Sequence, residues 1–520
     1  MNLFKNWKKD VPASLVVFFV ALPLCLGVAL ASGAPLFSGL IAGIIGGIVV
    51  GFISKSEIGV SGPAAGLTAI VLTAITDLGS YEIFLVAVVL AGIMQIIMGI
   101  LKAGVIGYYF PSAVIKGMLC AIGIIIFVKQ IPLALGMSGE MESDRLKFGT
   151  ITEQISFGVV LITLISLTIL FVWDEILAKK NQFFKLVPGP LIAVVVGIIL
   201  YLTVGQEGEL ALKSSQLVNV PIPEDFNSFI SNFTFPDFSA LLTHKGVYVT
   251  ALTLAIVASL ETLLSVEATD KLDPLKRQTP TSFELIAQGV GNSLSGLIGG
   301  LPLTQVIVRS SANVMSGGVS KLSTILHGAL LLLSVILIPV ILNKIPIAVL
   351  ASVLLIIGYK LANPKRFVEM WKLGKEQFVP FIVTVVAIVV FDLLVGIIAG
   401  LVVGIVVLLL KSYTNSHQML IKEFKGQKNL FHMNLAEEVT FVNRGSIVKE
   451  LDALPQGSFL ELDFRKTKIL DYDILEYLDE FTVKAANNNI QIKLISERGI
   501  VDNPVSFREF FGHKVFKMGH

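Results

Sequence analysis

The sequence predicts a polytopic α-helical membrane protein of fourteen segments, arranged as a 7+7 inverted repeat and followed by a small C-terminal α/β domain. Three observations carry this. Of the 520 residues, 54% are hydrophobic and 15% charged, where soluble domains hold about 25% charged residues. The deficit is confined to residues 11–410, and 411–520 reads as an ordinary soluble sequence. Two short segments, 62–77 and 310–318, take corresponding places in the two halves.

A membrane helix needs about 20 apolar residues. Runs of that kind lie at 14–32, 37–53, 83–101, 113–130, 157–175, 187–203, 247–266, 284–300, 322–342, 345–359, 378–392 and 393–411. The basic stretch Met1–Asp10 leads into the first run with no cleavage pattern, so that run is an uncleaved span. The segments 62–77 and 310–318 are too short to cross fully, yet the loop charges require both. With the N-terminus cytoplasmic, the loops holding Lys55, Lys102, Lys179, Lys180 and Lys185 fall inside. So do those with Lys271, Lys276 and Arg277, and with Lys360, Lys365, Arg366, Lys372 and Lys375. The outer side receives 136–155, with Glu140, Glu142 and Asp144 beside Arg145 and Lys147, and 204–246, with Glu207, Glu209, Glu224 and Asp225. Basic loops prefer the cytoplasm, and omitting one short segment would reverse every later loop. Seven segments precede 204–246 and seven follow, and an odd number inverts the second half. Transporters built this way hold substrate near the midplane with broken helices.

The tail changes rhythm. Leu430–Met433, Glu438–Val442, Phe459–Asp463 and Ile490–Ser496 read as strands, and Ser446–Leu454 and Asp473–Asn487 as helices. The expected division is 1–411 in the membrane and 412–520 on the cytoplasmic side, in a cell-membrane protein with both termini cytoplasmic.

Several function classes are excluded. A net charge of +2 with no basic stripe argues against nucleic-acid binding. Cys25 and Cys120 sit in apolar runs as small hydrophobes and make no disulfide framework. The six histidines show no metal-ligand spacing. No nucleophile–base pair, metal cluster or nucleotide-binding loop is present, so neither an enzyme nor an ATP-driven pump is expected.

Three segments carry chemistry. In Ile58–Thr68, a β-like stretch meets a helix start at Ser61 or Gly62, with Pro63 at the first helical position, followed by Ala64. In Gly299–Asn313, an extended run Thr304–Val308 meets Arg309, Ser310 and Ser311. A helix start exposes unpaired N–H groups and about half a positive charge, which suits an anion. Arg309 is strongly basic at membrane depth, where an ionisable residue faces a cavity or a partner. Ser61, Ser310, Ser311 and the first-turn amides can replace an anion's water shell; an ordinary capped helix would look similar. The third segment, Leu254–Ser265, places Glu261 inside an apolar span with Ser265 one turn on along the same face. Glu261 would carry a coupling proton, bind Na⁺ with Ser265, or form a salt bridge that fixes Arg309. A nucleobase transporter of the same architecture, or an anion channel or sensor, is the alternative.

The chain resembles the SulP (sulfate permease) family of inorganic anion transporters. The resemblance rests on Ala21-Leu22-Pro23, Ala29–Pro35, Val60-Ser61-Gly62-Pro63, Phe110–Gly117, Val187–Ile192, Ser259–Ser265, Gly289–Arg309 and Asp392–Gly396, in this order and spacing. It implies core and gate subdomains, an anion site between the third and tenth segments, movement of core against gate, a homodimer, and a STAS-like regulatory tail. Ala21-Leu22-Pro23-Leu24 and Lys129-Gln130-Ile131-Pro132 resemble members found beside carbonic anhydrases, which implies bicarbonate and a functional association with that enzyme. Cyanobacterial bicarbonate carriers have Asp in a Na⁺ site where Glu261 stands, while sulfate-type members with Glu couple to protons. Three departures matter. Leu24 replaces a common Gln, which removes a side-chain contact. Val308 replaces a common Ser, which leaves more of the binding to backbone N–H groups. Asp473 replaces the phosphorylatable Ser of the tail.

Overall fold

Backbone polar groups inside a bilayer must be satisfied within the protein, so helices carry most crossings. A computed structural model describes residues 3–105, 111–137, 155–177, 180, 184, 187–222, 231–391, 393–422, 430–512 and 516–517. The chain divides into two compact units, Met1–Leu401 and Val402–His520. The division falls within the last apolar helix rather than after it.

The first unit holds α1 (Trp7–Ala31), α2 (Leu36–Ile45, continued by a π turn to Ile53), β1 (Ser61–Pro63), α3 (Thr68–Leu78), α4 (Tyr81–Ile100), α5 (Ser112–Ala134), α6 (Phe157–Val172) and α7 (Gly189–Thr203). The second half follows with α8 (Gly246–Leu272), α9 (Thr281–Leu297), β2 (Leu303–Gln305), α10 (Ile307–Met315), α11 (Lys321–Leu337), α12 (Ile347–Leu361), α13 (Lys375–Val390) and α14 (Leu393–Thr414). Among the described residues, eight helices are long and apolar enough to cross a membrane.

Packing obeys an exchange of halves. Helix α1 packs on α11 as α8 packs on α4, and α4 on α9 as α11 on α2. Likewise α5 packs on α13 as α12 on α6, and α6 on α7 as α13 on α14. Each pair becomes the other when its members move by seven places, so the 7+7 inverted repeat is present in the contacts. Two groups result: α1–α4 with α8–α11, and α5–α7 with α12–α14.

Several boundaries differ from the sequence expectation. Helix α1 begins at Trp7, seven residues before the apolar run, because buried Asp10 is held by hydrogen bonds from Val319 N (2.8 Å) and Ser320 N (3.0 Å). Ser61–Pro63 is a strand and not a helix start, because its backbone pairs with Leu303–Gln305. Helix α10 begins at Ile307, three residues before the expected segment, so Arg309 and Val308 lie inside its first turn. Asp392 and much of 138–154, with its charged residues, lie outside the described residues, as do Lys179, Lys185, Glu224 and Asp225.

The second unit has a five-stranded sheet in the order β3 (His417–Lys422), β4 (Leu430–Leu435), β6 (Phe459–Asp463), β8 (Gln491–Ser496), β9 (Gly499–Asp502). Strands β4, β6 and β8 run parallel and the two edge strands antiparallel. A smaller sheet orders β10 (Phe516–Lys517), β7 (Ile469–Leu470) and β5 (Glu438–Val439). The expected strand Glu438–Val442 stops at Val439, since Thr440 and Asn443 close a 3₁₀ turn. Helix α15 spans Arg444–Asp452, two residues earlier than expected. Helix α16 (Tyr472–Asn487) buries Ile474, Leu475, Leu478, Phe481 and Ala485, and Asp473 sits in its first turn. The first-turn position suits a negative charge.

Candidate functional site

Two strands of three residues interrupt the crossings, and the structure must satisfy their backbone within the protein. They do so first with each other: Ser61 pairs with Gln305, Gly62 with Thr304 and Pro63 with Leu303, antiparallel. Val306 N extends the ladder to Val60 O (2.9 Å). Polar side chains take the remaining groups. Asn292 brackets Leu303 like a third strand, accepting from its N–H at 2.6 Å and donating to its carbonyl at 3.0 Å. Asn313 donates to Ile58 O (3.0 Å), Thr324 to Gly59 O (3.0 Å) and Ser295 to Leu301 O (2.7 Å).

Three predicted site residues, Ser61, Ser310 and Ser311, take part in this accounting. The Ser310 hydroxyl accepts from Val60 N (3.0 Å) and donates to Val306 O (2.8 Å), clasping both strands. Ser61 Oγ accepts from Gln288 Nε2 at 2.7 Å. The same amide nitrogen donates to Glu284 at 2.8 Å, and Glu284 accepts from Ser54 at 2.6 Å. Ser311 donates to Val308 O of its own turn. The three hydroxyls are therefore directed to protein groups.

Residues alternate faces along a strand. Ser61 and Gln305 face α9, and Gly62 and Thr304 face the other way. There lies Arg309, fully buried. Its Nη2 donates to Cys25 Sγ at 3.4 Å, while Nε and Nη1 have no partner among the described residues. A Cβ on Gly62 would collide with the guanidinium, so glycine there lets Arg309 lie against the strand. Gly46 lets α2 pass the ladder in the same way, since its Cβ would meet the Ser61 carbonyl carbon at 2.6 Å. Arg309 thus stands behind the ladder, while Ile307 and Val308, at 41% and 43% exposure, form the accessible part of the α10 start. Pro63 and Ala64 are buried.

The short turn Ala65–Leu67 opens the helical part of the third segment. Neither this turn, nor α3, nor α10 carries a side-chain cap. Glu261 lies against the turn: the Gly66 N–H donates to its carboxylate, and a Gly66 Cβ would sit 2.7 Å from both carboxylate oxygens. Glu261 Oε2 is buried with no protein partner, and Ser265 is buried one turn on. Glu261 and Arg309 form no ion pair among the described residues, so of the three alternatives for Glu261 the salt bridge is absent, and a carboxylate stands at one helix start with a guanidinium behind the other.

Sequence reasoning missed Glu284, Gln288, Asn292 and Ser295, a polar stripe on α9 whose legible signal was its spacing of four, four and three. It also missed Gln95, which accepts from Asn292 (2.7 Å) and donates to Ser259 (3.2 Å). Outside the membrane segments, Arg277 ties the α8–α9 connection to the α10–α11 turn, bonding Asp273 (2.7 Å) and Val319 O (3.0 Å). Burial pushes the Asp273 carboxyl up, but the Arg277 bonds outweigh it and hold it below the ordinary carboxylate range.

An inverted repeat whose two broken segments meet in a ladder, with a fully buried arginine behind it, defines a multi-pass membrane transporter of the broken-helix class. Residues 7–384 match the sulfate permease family, and the chain belongs to that family. It is 28% identical over 399 residues to YvdB of Bacillus subtilis, covering 75% of this chain and 72% of that protein. It is 26% identical over 367 residues to the bicarbonate transporter BicA of Picosynechococcus sp., covering 68% of this chain and 62% of that protein. Among solved structures, the transmembrane domain of a cyanobacterial BicA aligns with a TM-score of 0.65 and 23% identity over 76% of this chain and 98% of that one. SLC26A9 aligns with a TM-score of 0.76 and 15% identity over 94% of this chain and 84% of that one. At those identities the two structures show the fold.

Proposed function

We propose that the protein is a secondary active transporter of a small inorganic oxyanion, bicarbonate or sulfate, working by alternating access as a homodimer in the cell membrane. The observation that supports this most is the ladder joining two helix starts that lack a capping side chain of their own, with Arg309 buried behind it. An anion at this place meets backbone N–H groups and Val308. Arg309 acts through the ladder: at an effective dielectric of about 20, a unit charge at about 6–8 Å stabilises an anion by about 2–3 kcal/mol. A bare buried guanidinium with only a thiol contact is costly unless an anion balances it.

Glu261 supplies the coupling logic. Its carboxylate already occupies the positive start of the third segment, so it competes with an anion there. A proton or Na⁺ on the orphaned Oε2 removes that competition, with Ser265 as a further oxygen donor. Cation and anion then bind together and cross together. The two helix groups move against each other around the ladder. Loop charge supports cytoplasmic termini, with the C-terminal unit as a STAS-like regulatory module. The subgroup resemblance supports a functional association with carbonic anhydrase.

Purified protein in liposomes should take up labelled bicarbonate or sulfate in response to a Na⁺ or proton gradient, and Arg309→Ala should abolish uptake. Uptake of both anions equal to that of empty liposomes would overturn the reading.

A further inference from the structure

His327 is a fully buried histidine on α11 that the reading above does not use. Its Nδ1 lies against Thr324 O, an acceptor, so Nδ1 carries the ring proton and Nε2 presents a lone pair. That Nε2 is buried with no protein partner among the described residues, as are Nε and Nη1 of Arg309. The two side chains face the same strip of α2. A Cβ on Gly43 would lie 3.9 Å from Arg309 Nη1, and one on Gly47 would lie 2.8 Å from His327 Cε1. Four residues of helix rise about 6 Å. Two hydrogen bonds of about 2.8 Å meeting at a water's near-tetrahedral angle span about 4.6 Å, within reach of side chains seated one helical turn apart. Bare donors on one side and a bare acceptor on the other fit a single water, which accepts from the guanidinium and donates to the imidazole.

We propose that His327 is a positioning residue for Arg309, the two being joined by one internal water. The inference rests on Arg309 serving the anion site. Without that water, the guanidinium would be left with Cys25 Sγ alone and drop toward it, away from Gly62, so its field at the ladder would weaken. Segment α2 (36–53) contributes no titratable group to this place, and Cys25 is the neighbour from α1.

The test is anion KM and kcat in proteoliposomes. His327→Leu should raise KM about tenfold, as for one lost hydrogen bond to a charged group, with kcat within about twofold. His327→Gln, whose amide oxygen reaches the Nε2 position, should restore KM toward wild type. In an Arg309→Lys background, which lacks the guanidinium fork, His327→Leu should change KM by less than about twofold. Equal effects of His327→Leu in both backgrounds, or a lower kcat with KM unchanged, would overturn the proposal. Should the leucine variant fail to fold, His327→Asn replaces it, since its amide reaches only the Nδ1 position. Intact uptake by Arg309→Ala would sink the anion-site reading itself; loss of uptake there with wild-type KM in His327→Leu would sink only this inference.

Discussion

At the start of the third segment the ionisable neighbour is Glu261, which takes the Gly66 N–H. At the start of the tenth it is Arg309, which lies beneath Gly62 and offers two bare donors to the interior. The two segments share a ladder and an inverted sense, so the scaffold is close to two-fold. The chemistry is opposite in sign. A symmetric scaffold can hold an anion between two helix starts; unequal ends allow a cation on one of them to govern that binding.

The largest effect should separate the two glycines. A Cβ at position 62 meets the guanidinium and displaces it from the ladder, and Gly62→Ala should lower uptake about 100-fold with the protein still folded. A Cβ at position 66 meets the carboxylate end of the flexible Glu261 side chain, which can shift. Gly66→Ala should cost about tenfold and alter the response to the driving gradient. Initial-rate uptake beside thermal unfolding of the purified variants checks this. Equal losses at both positions would erase the asymmetry.

Next is the support both segments share. Asn292→Leu leaves the Leu303 N–H, its carbonyl and Gln95 Oε1 unpaired. The expected loss is about 3 kcal/mol of stability, seen as a lower thermal midpoint in detergent with a smaller change in KM. A large KM change at an unchanged midpoint would place Asn292 in the binding site instead.

The membrane architecture was legible in the sequence to an unusual depth. Twelve apolar runs, two short segments and the loop charges predict the inverted repeat, because a bilayer imposes length and charge rules that no soluble fold obeys. That the two short segments take corresponding places was legible; the partners of their side chains were not. Ser61 and Ser310 look like anion ligands in a Ser-Gly-Pro or Arg-Ser-Ser context, yet backbone interrupted within a membrane needs partners first, and these hydroxyls supply them. Strand pairing across more than 240 residues decides which way each faces, and no local pattern encodes that. The α9 stripe is the converse: Glu284, Gln288 and Asn292 at intervals of four are visible as an anomaly in an apolar span, but their target, β1 and β2, emerges only in three dimensions. In the tail, β5 lies inside the strand read at Glu438–Val442, whereas the two-residue pieces β7 and β10 carry too few residues for a period to show.

Glu261→Gln sharpens the asymmetry from the acid side. It removes the charge that competes at the third segment while keeping the bond from Gly66. Uptake driven by an imposed Na⁺ or proton gradient should fall about tenfold, as expected when one charged interaction is removed. Exchange of internal for external anion should persist. Counterflow measurements distinguish the two. A variant that loses exchange as well would make Glu261 part of the anion site rather than its governor.

The smallest expected effect compares the serines. Ser310→Ala leaves the Val60 N–H and reduces the pairing of Val306 O, whereas Ser61→Ala removes one bond from Gln288 and leaves that amide still held by Glu284. Ser310→Ala should therefore cost about 2 kcal/mol of stability and Ser61→Ala about 1 kcal/mol or less. Neither should move anion KM by more than about twofold, since neither hydroxyl faces the Arg309 side of the ladder. Thermal midpoints and KM values for the two variants decide it. A tenfold rise in KM for Ser61→Ala at an unchanged midpoint would mean that this hydroxyl leaves Gln288 to bind the anion, and that the third segment contributes a side chain where the ladder shows only backbone.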